Sequence, residues 1–122
     1  MAVLLAALPA LSAAHAGTEA EIAPPLSHDA RIAAAWQTLR VVDCARCHGK
    51  DHDGLAAPSI IAYARNQSRE MFVRAVLDGD PARGMPAYRG NLRVLEGIDG
   101  IYAYFAALAQ GNAGRGPGAP AR

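Results

Sequence analysis

Cys44-Ala45-Arg46-Cys47-His48 sets two thiols one helical turn apart, with an imidazole directly after the second. The spacing suits a haem gripped from one side. Each thiol can add to a vinyl group as a thioether, and the imidazole then lies under the iron. These are the only two cysteines of the 122-residue chain, so no other thiol competes for either role. Two other chemistries use such a pair. A dithiol redox motif expects βαβ patterning around it, and none is present. A structural zinc ion wants four ligands, commonly two cysteine pairs or a cysteine pair with a later histidine pair. Beyond residue 16 only His28 and His52 accompany His48, and they form no such pair.

Working outward, residues 1–16 contain no charged side chain and run from Val3-Leu4-Leu5 to Ala14-His15-Ala16. An apolar run closed by small residues is the pattern of a secretory signal, with cleavage before Gly17. The run is shorter than the roughly 20 apolar residues of a membrane span. The basic residue that usually precedes such a run is missing, and a buried N-terminal helix is the competing reading. Residues 17–26 are small, acidic and proline-bearing, and read as a flexible segment. Residues 111–122 form a Gly/Pro tail unable to hold a helix or strand. The compact domain expected over residues 27–110 is of roughly 80 residues and buries a modest share of its surface, so an apolar prosthetic group at its centre adds much to the core. A formal net charge of +1 gives no support for nucleic-acid binding.

The patterning is all-α. A first helix is predicted to begin near Asp29, capped by Ser27 or Asp29, with Ile32, Ala35, Trp36, Leu39 and Val42 on one apolar stripe. It is expected to continue through the cysteines and stop near Gly49. Residues 50–54 read as a polar turn, followed by a loop holding Pro58, Ile60, Ile61 and Tyr63. Ser68 caps a further helix over residues 69–77, with Glu70 in its first turn and Gly79 at its end. Its stripe is Phe72, Val73, Val76 and Leu77. Residues 80–90 read as a loop. A last helix starts between residues 92 and 99 and buries Ile98, Ile101, Tyr104, Phe105 and Leu108.

Beneath a haem held by His48, soft thioether sulfur at the second axial position raises the potential. Met71, beside Phe72 in a helix, reads as core filler. Met85 lies in Arg83-Gly84-Met85-Pro86-Ala87-Tyr88, a loop stiffened by Pro86 where Gly84 permits close approach. A methionine there has little structural reason, so Met85 is the expected ligand. His52 sits in the polar turn and His28 ahead of a helix, and both read as solvated.

Three separated pieces together resemble the small class I bacterial cytochromes c: Cys44-Ala45-Arg46-Cys47-His48-Gly49, Gly84-Met85-Pro86-Ala87-Tyr88, and Ile98-Asp99-Gly100-Ile101-Tyr102-Ala103-Tyr104-Phe105. The resemblance covers approximately residues 35–110. It implies three to four main helices around one covalent haem c, the first and last crossing near a right angle with Trp36 against Tyr104. It implies that Pro58 offers its carbonyl to the His48 ring, although Ala57 stands where the family usually has glycine. It further places Ile60 and Tyr88 in the haem pocket.

The function implied is that of a soluble periplasmic carrier, a monomer and not an enzyme, moving single electrons through a His/Met-ligated iron. Residues 78–86 and the Gly/Pro ending look like cytochromes that accompany PQQ-dependent alcohol dehydrogenases, which implies such a donor and an oxidase-side acceptor. Arg83, Arg89 and Arg93 are candidates for orienting an acidic partner or the haem propionates, with solvated charge as the plainer role of at least two. Two rivals remain: a five-coordinate haem protein (gas sensor or haem enzyme), and a haem-free dithiol protein.

Overall fold

The computed structural model describes residues 24–111. The leader expected over 1–16, most of the segment expected over 17–26 and all but the first residue of the tail lie outside the described residues. Five helices follow in order: α1 (His28–Val42), α2 (Ala45–His48), α3 (Ile60–Asn66), α4 (Arg69–Asp78) and α5 (Leu92–Ala109). A short 3-10 turn, Pro81–Arg83, lies between α4 and α5. Among the described residues the β content is one isolated antiparallel bridge, Asp80 to Met85.

Side-chain oxygens start four of the helices. Ser27 accepts from the Ala30 amide, Ser59 from Ala62, Ser68 from Met71 and Asn91 from Val94. Each satisfies an amide that the first helical turn leaves without a partner. Ser27, not Asp29, is thus the first cap.

α5 is the central element. α1 packs on it most extensively, and α3 and α4 rest on it as well. Its residues Val94, Ile98, Ile101, Tyr104 and Phe105 recur at helical spacing and are all buried. Facing them are Ala35 and Leu39 of α1, Ala64 of α3, and Phe72 and Leu77 of α4. Burying one such large apolar side chain contributes about 1.5–3 kcal/mol. The Trp36 and Tyr104 rings meet with centroids 6.1 Å apart, as the family resemblance implies. α1 and α5 come close at Gly100, where an added Cβ would stand 2.7 Å from the Arg31 carbonyl oxygen and 3.3 Å from the Arg31 Cβ.

Four expectations need correction. The first helix does not run through the cysteines. Asp43 turns left-handed (φ 61°, ψ 47°) and its amide donates to the Leu39 carbonyl, which ends α1 and starts a fresh turn at Cys44. Aspartate tolerates that conformation better than most residues, so no glycine was needed. The loop expected around residues 60–63 is instead α3, capped by Ser59. Met71 is not core filler: it is 42% exposed, because the neighbouring Phe72 takes the inward face. His52 is not solvated: it is only 4% exposed. The loop over 80–90 also contains the 3-10 turn.

Gly100→Ala is expected to destabilise the protein by about 1–2 kcal/mol. The backbone contact with Arg31 cannot yield without separating the helices, and that overpacking outweighs the gain in helix propensity. Denaturant unfolding of the variant and the wild type measures the difference.

Candidate cofactor site

The site is built on α2 and two loops. Cys44 stands just ahead of α2 and is half-buried, whereas Cys47 is exposed within it. Neither is in a disulfide. Burial, the largest effect, pushes the Cys44 thiol up from its ordinary range, and nearby Asp43 and Cys47 add to this. A thiol of that kind is a poor thiolate nucleophile, unlike the electropositive cysteines of disulfide exchangers.

His48 ends α2, and its Nδ1–H donates to the Pro58 carbonyl at 2.7 Å. A carbonyl oxygen can only accept, so Nδ1 carries the ring proton and Nε2 keeps its lone pair. That is the tautomer a metal requires. The bond also fixes the ring and strengthens it as a ligand. Pro58 reaches this position although Ala57 stands where glycine was expected, because the Ala57 amide is tied back to the Cys47 carbonyl at 2.9 Å.

The second candidate ligand lies in the segment between α4 and α5. Met85 is half-buried, and its main chain is paired with Asp80 by two reciprocal bonds of 3.0 Å. The base of the loop is closed at Gly79, which has φ 63° and ψ −162°. A Cβ there would collide with the Pro86 carbonyl. The Arg89 amide donates to the Leu77 carbonyl at 3.1 Å, and the Arg89 guanidinium pairs with Asp78. Arg83 bonds Asp80 at 2.6 Å. These two arginines are therefore partnered within the loop and its base, while Arg93 is exposed in the first turn of α5. Exposed pairs of this kind contribute at most about 1 kcal/mol each.

The Tyr88 phenol is pushed up first by burial and then by the charges that Cys44 and Cys47 would carry. Ile60, the first residue of α3, is half-buried against the core, as are Tyr63, Val73, Val76 and Tyr88. The chain thus presents two unbridged thiols, an imidazole with a free Nε2, a half-buried thioether sulfur and flanking apolar side chains. This donor set fits a covalent haem. No group of three or more His, Cys, Asp or Glu side chains suited to a bare metal ion occurs among the described residues, which counts against zinc. His28 is exposed at the start of α1, as its sequence context leads one to expect, and Met71 is exposed on α4.

Sequence reasoning missed His52. Its flanking Asp51 and Asp53 suggest a solvated turn, yet its ring packs edge-on against Phe105 with centroids 5.3 Å apart. Its Nε2 is buried without a hydrogen-bond partner.

A protein-family model described as "Cytochrome C oxidase, cbb3-type, subunit III" matches residues 29–105. "Cytochrome c-555" of Methylococcus capsulatus (strain ATCC 33009 / NCIMB 11132 / Bath) is 38% identical over 69 residues, 56% of this chain and 54% of that protein. The chain thus spans about half the length of that relative. No solved structure matches.

Burial, more than the neighbouring His48, holds the His52 imidazole below its ordinary pKa, with Asp51 opposing. Below about pH 6.5 the unfolded chain therefore binds a proton that the folded chain resists, so stability falls as pH drops through that window. Denaturant midpoints measured from about pH 7 to about pH 5 are expected to decline in the wild type and to flatten in His52→Phe.

Proposed function

Because the chain belongs to the small c-type cytochromes, in the family described as cytochrome c oxidase, cbb3-type, subunit III, whose cofactor is covalent haem c, we propose that it is a carrier of single electrons. Cys44 and Cys47 would hold the haem by thioether bonds, and His48 and Met85 would be the protein donors to its iron. The supporting observation is that the chain holds two donors of the kinds a haem iron takes, an imidazole and a thioether. His48 has its Nε2 left free by the bond to Pro58, and Met85 is held in a loop tied to the end of α4. With both positions taken by protein there is no open one for a substrate, which favours electron transfer over catalysis on a bound molecule.

The haem supplies a one-electron couple. The chain's own residues do the rest. Pro58 keeps the proton on His48 Nδ1 and fixes the ring, so the ligand does not reorient between oxidation states. The Asp80–Met85 pairing and Gly79 hold the loop at two points, which keeps the sulfur in place. Ile60 and Tyr88, both half-buried, would limit water around the group and lower the local dielectric, which with sulfur ligation would raise the potential.

The carrier works in the periplasm as a monomer, delivered by the leader over residues 1–16. It takes electrons from a PQQ-dependent alcohol dehydrogenase and passes them towards an oxidase. The donor is supported by the likeness of residues 78–86 to cytochromes that serve such enzymes. The acceptor is supported by the family's description, which names an oxidase subunit. No helix among the described residues is long and apolar enough to cross a membrane. Docking is weak and brief, over an interface below roughly 1,200 Å².

Absorption spectra of the haem-loaded protein test this reading. The oxidised wild type is expected to show the far-red sulfur-to-iron band, lost in Met85→Ala and retained in Met71→Ala. The potential of Met85→Ala is expected to fall by on the order of 0.2 V, within the roughly 0.8 V that axial ligation spans. A high-spin wild-type spectrum would instead favour the five-coordinate reading.

A further inference from the structure

His52 is the only buried side chain between residues 50 and 59, the segment that brings the Pro58 carbonyl to His48. Backbone bonds fold this segment on α2: Gly54 donates to the His48 carbonyl at 2.8 Å and Ala57 to the Cys47 carbonyl at 2.9 Å. They fasten it to the same turn that carries the cysteines, while Ser59 at its far end caps α3. The ring of His52 does reach deeper. It stands edge-on to Phe105 of α5, which is fully buried and itself meets the rings of Phe72 and Tyr104.

The backbone of His52 completes the link. Its amide donates to the Gly49 carbonyl at 2.9 Å, and its carbonyl accepts from the Ile60 amide at 3.0 Å, two residues beyond Pro58. The residue adopts φ 58°, a left-handed conformation that costs energy for a side chain other than glycine and persists where surroundings impose it. The unpartnered Nε2 adds a second cost. Two unfavourable features at one position are offset by something that the placement of this ring secures.

We propose that His52 is a positioning residue for the proximal ligand. Its ring pins the 49–59 segment to α5, so that the Pro58 carbonyl stays on His48 Nδ1 and the donor strength of His48 is held constant. This rests on the reading of His48 as an axial ligand. A strong bond from Nδ1–H makes Nε2 more basic and favours the ferric state. Loosening the segment weakens that bond and favours the ferrous state.

The test uses the haem-loaded protein at one fixed pH, with the wild type, His52→Ala and His52→Phe. Two quantities are read: the midpoint potential, and the solvent exchange of the His48 Nδ1 proton by NMR. In His52→Ala the reduction equilibrium is expected to move towards the ferrous state by about tenfold, the lower end of what loss of an outer-shell partner costs a histidine ligand. That is about 59 mV for a one-electron couple. Nδ1 proton exchange is expected to accelerate alongside it. His52→Phe, with a ring for the same seat, is expected to restore both. If His52→Ala does not yield holoprotein, Phe105→Leu withdraws the other half of the contact and is expected to shift both readouts in the same direction.

A loss of stability with potential and exchange unchanged would reduce His52 to core packing and overturn the proposal. So would a shift that phenylalanine fails to repair. Failure of the underlying reading shows elsewhere, in the wild type itself, as a spectrum without a histidine-ligated c haem.

Discussion

The close crossing of α1 and α5 at Gly100 is the constraint on which the remaining geometry rests. A side chain at that point would press on the Arg31 backbone, so its absence lets the helices approach until Trp36 meets Tyr104. Because α3 and α4 also rest on α5, the same helix locates the ends of both segments that build the site. The cysteine turn follows directly from α1. The proposed ligand loop runs from the end of α4 back to the start of α5. Neither segment needs much structure of its own while its ends are held.

The proximal and distal segments solve a similar problem by different means. The distal loop is closed by its backbone, through the reciprocal Asp80–Met85 bonds and the approach of Gly79 to Pro86. The segment over 49–59 has backbone ties to α2 and to the start of α3, and reaches α5 through the ring contact between His52 and Phe105. The first device is local and the second tertiary. Only the first left a trace in the sequence, as Gly79, Gly84 and Pro86.

What was legible follows the same division. Serine caps at residues 27 and 68 and the periodic burial of Ile98, Ile101, Tyr104 and Phe105 rest on short-range rules, and they hold. Cys44, Cys47, His48 and Met85 stand out as candidates by residue type and spacing, while the fixing of the His48 tautomer shows only in the fold. The break at Asp43 was hidden because no glycine or proline marks it. α3 was missed because seven residues give too few turns for periodicity, although the Ser59 cap was present. Met71 was misplaced by its neighbour: one step along a helix turns the side chain by about 100°, enough to carry it from core to solvent. His52 was misread because Asp51 and Asp53 define its local polarity, whereas its burial is decided by Phe105 at the far end of the chain.

The closure of the distal loop separates two properties that selection acts upon. The bonds placing Met85 are made by main-chain atoms of residues 80 and 85, so they do not depend on the side chains between them. Pro81, Ala82, Arg83 and Gly84 are all exposed. With Gly84 kept for its left-handed backbone (φ 93°), the rest of the tip can vary in charge and shape, acquiring or losing affinity for one protein surface or another, while the main chain of Met85 stays where it is. A lineage carrying this loop can change its company and keep the backbone that presents Met85.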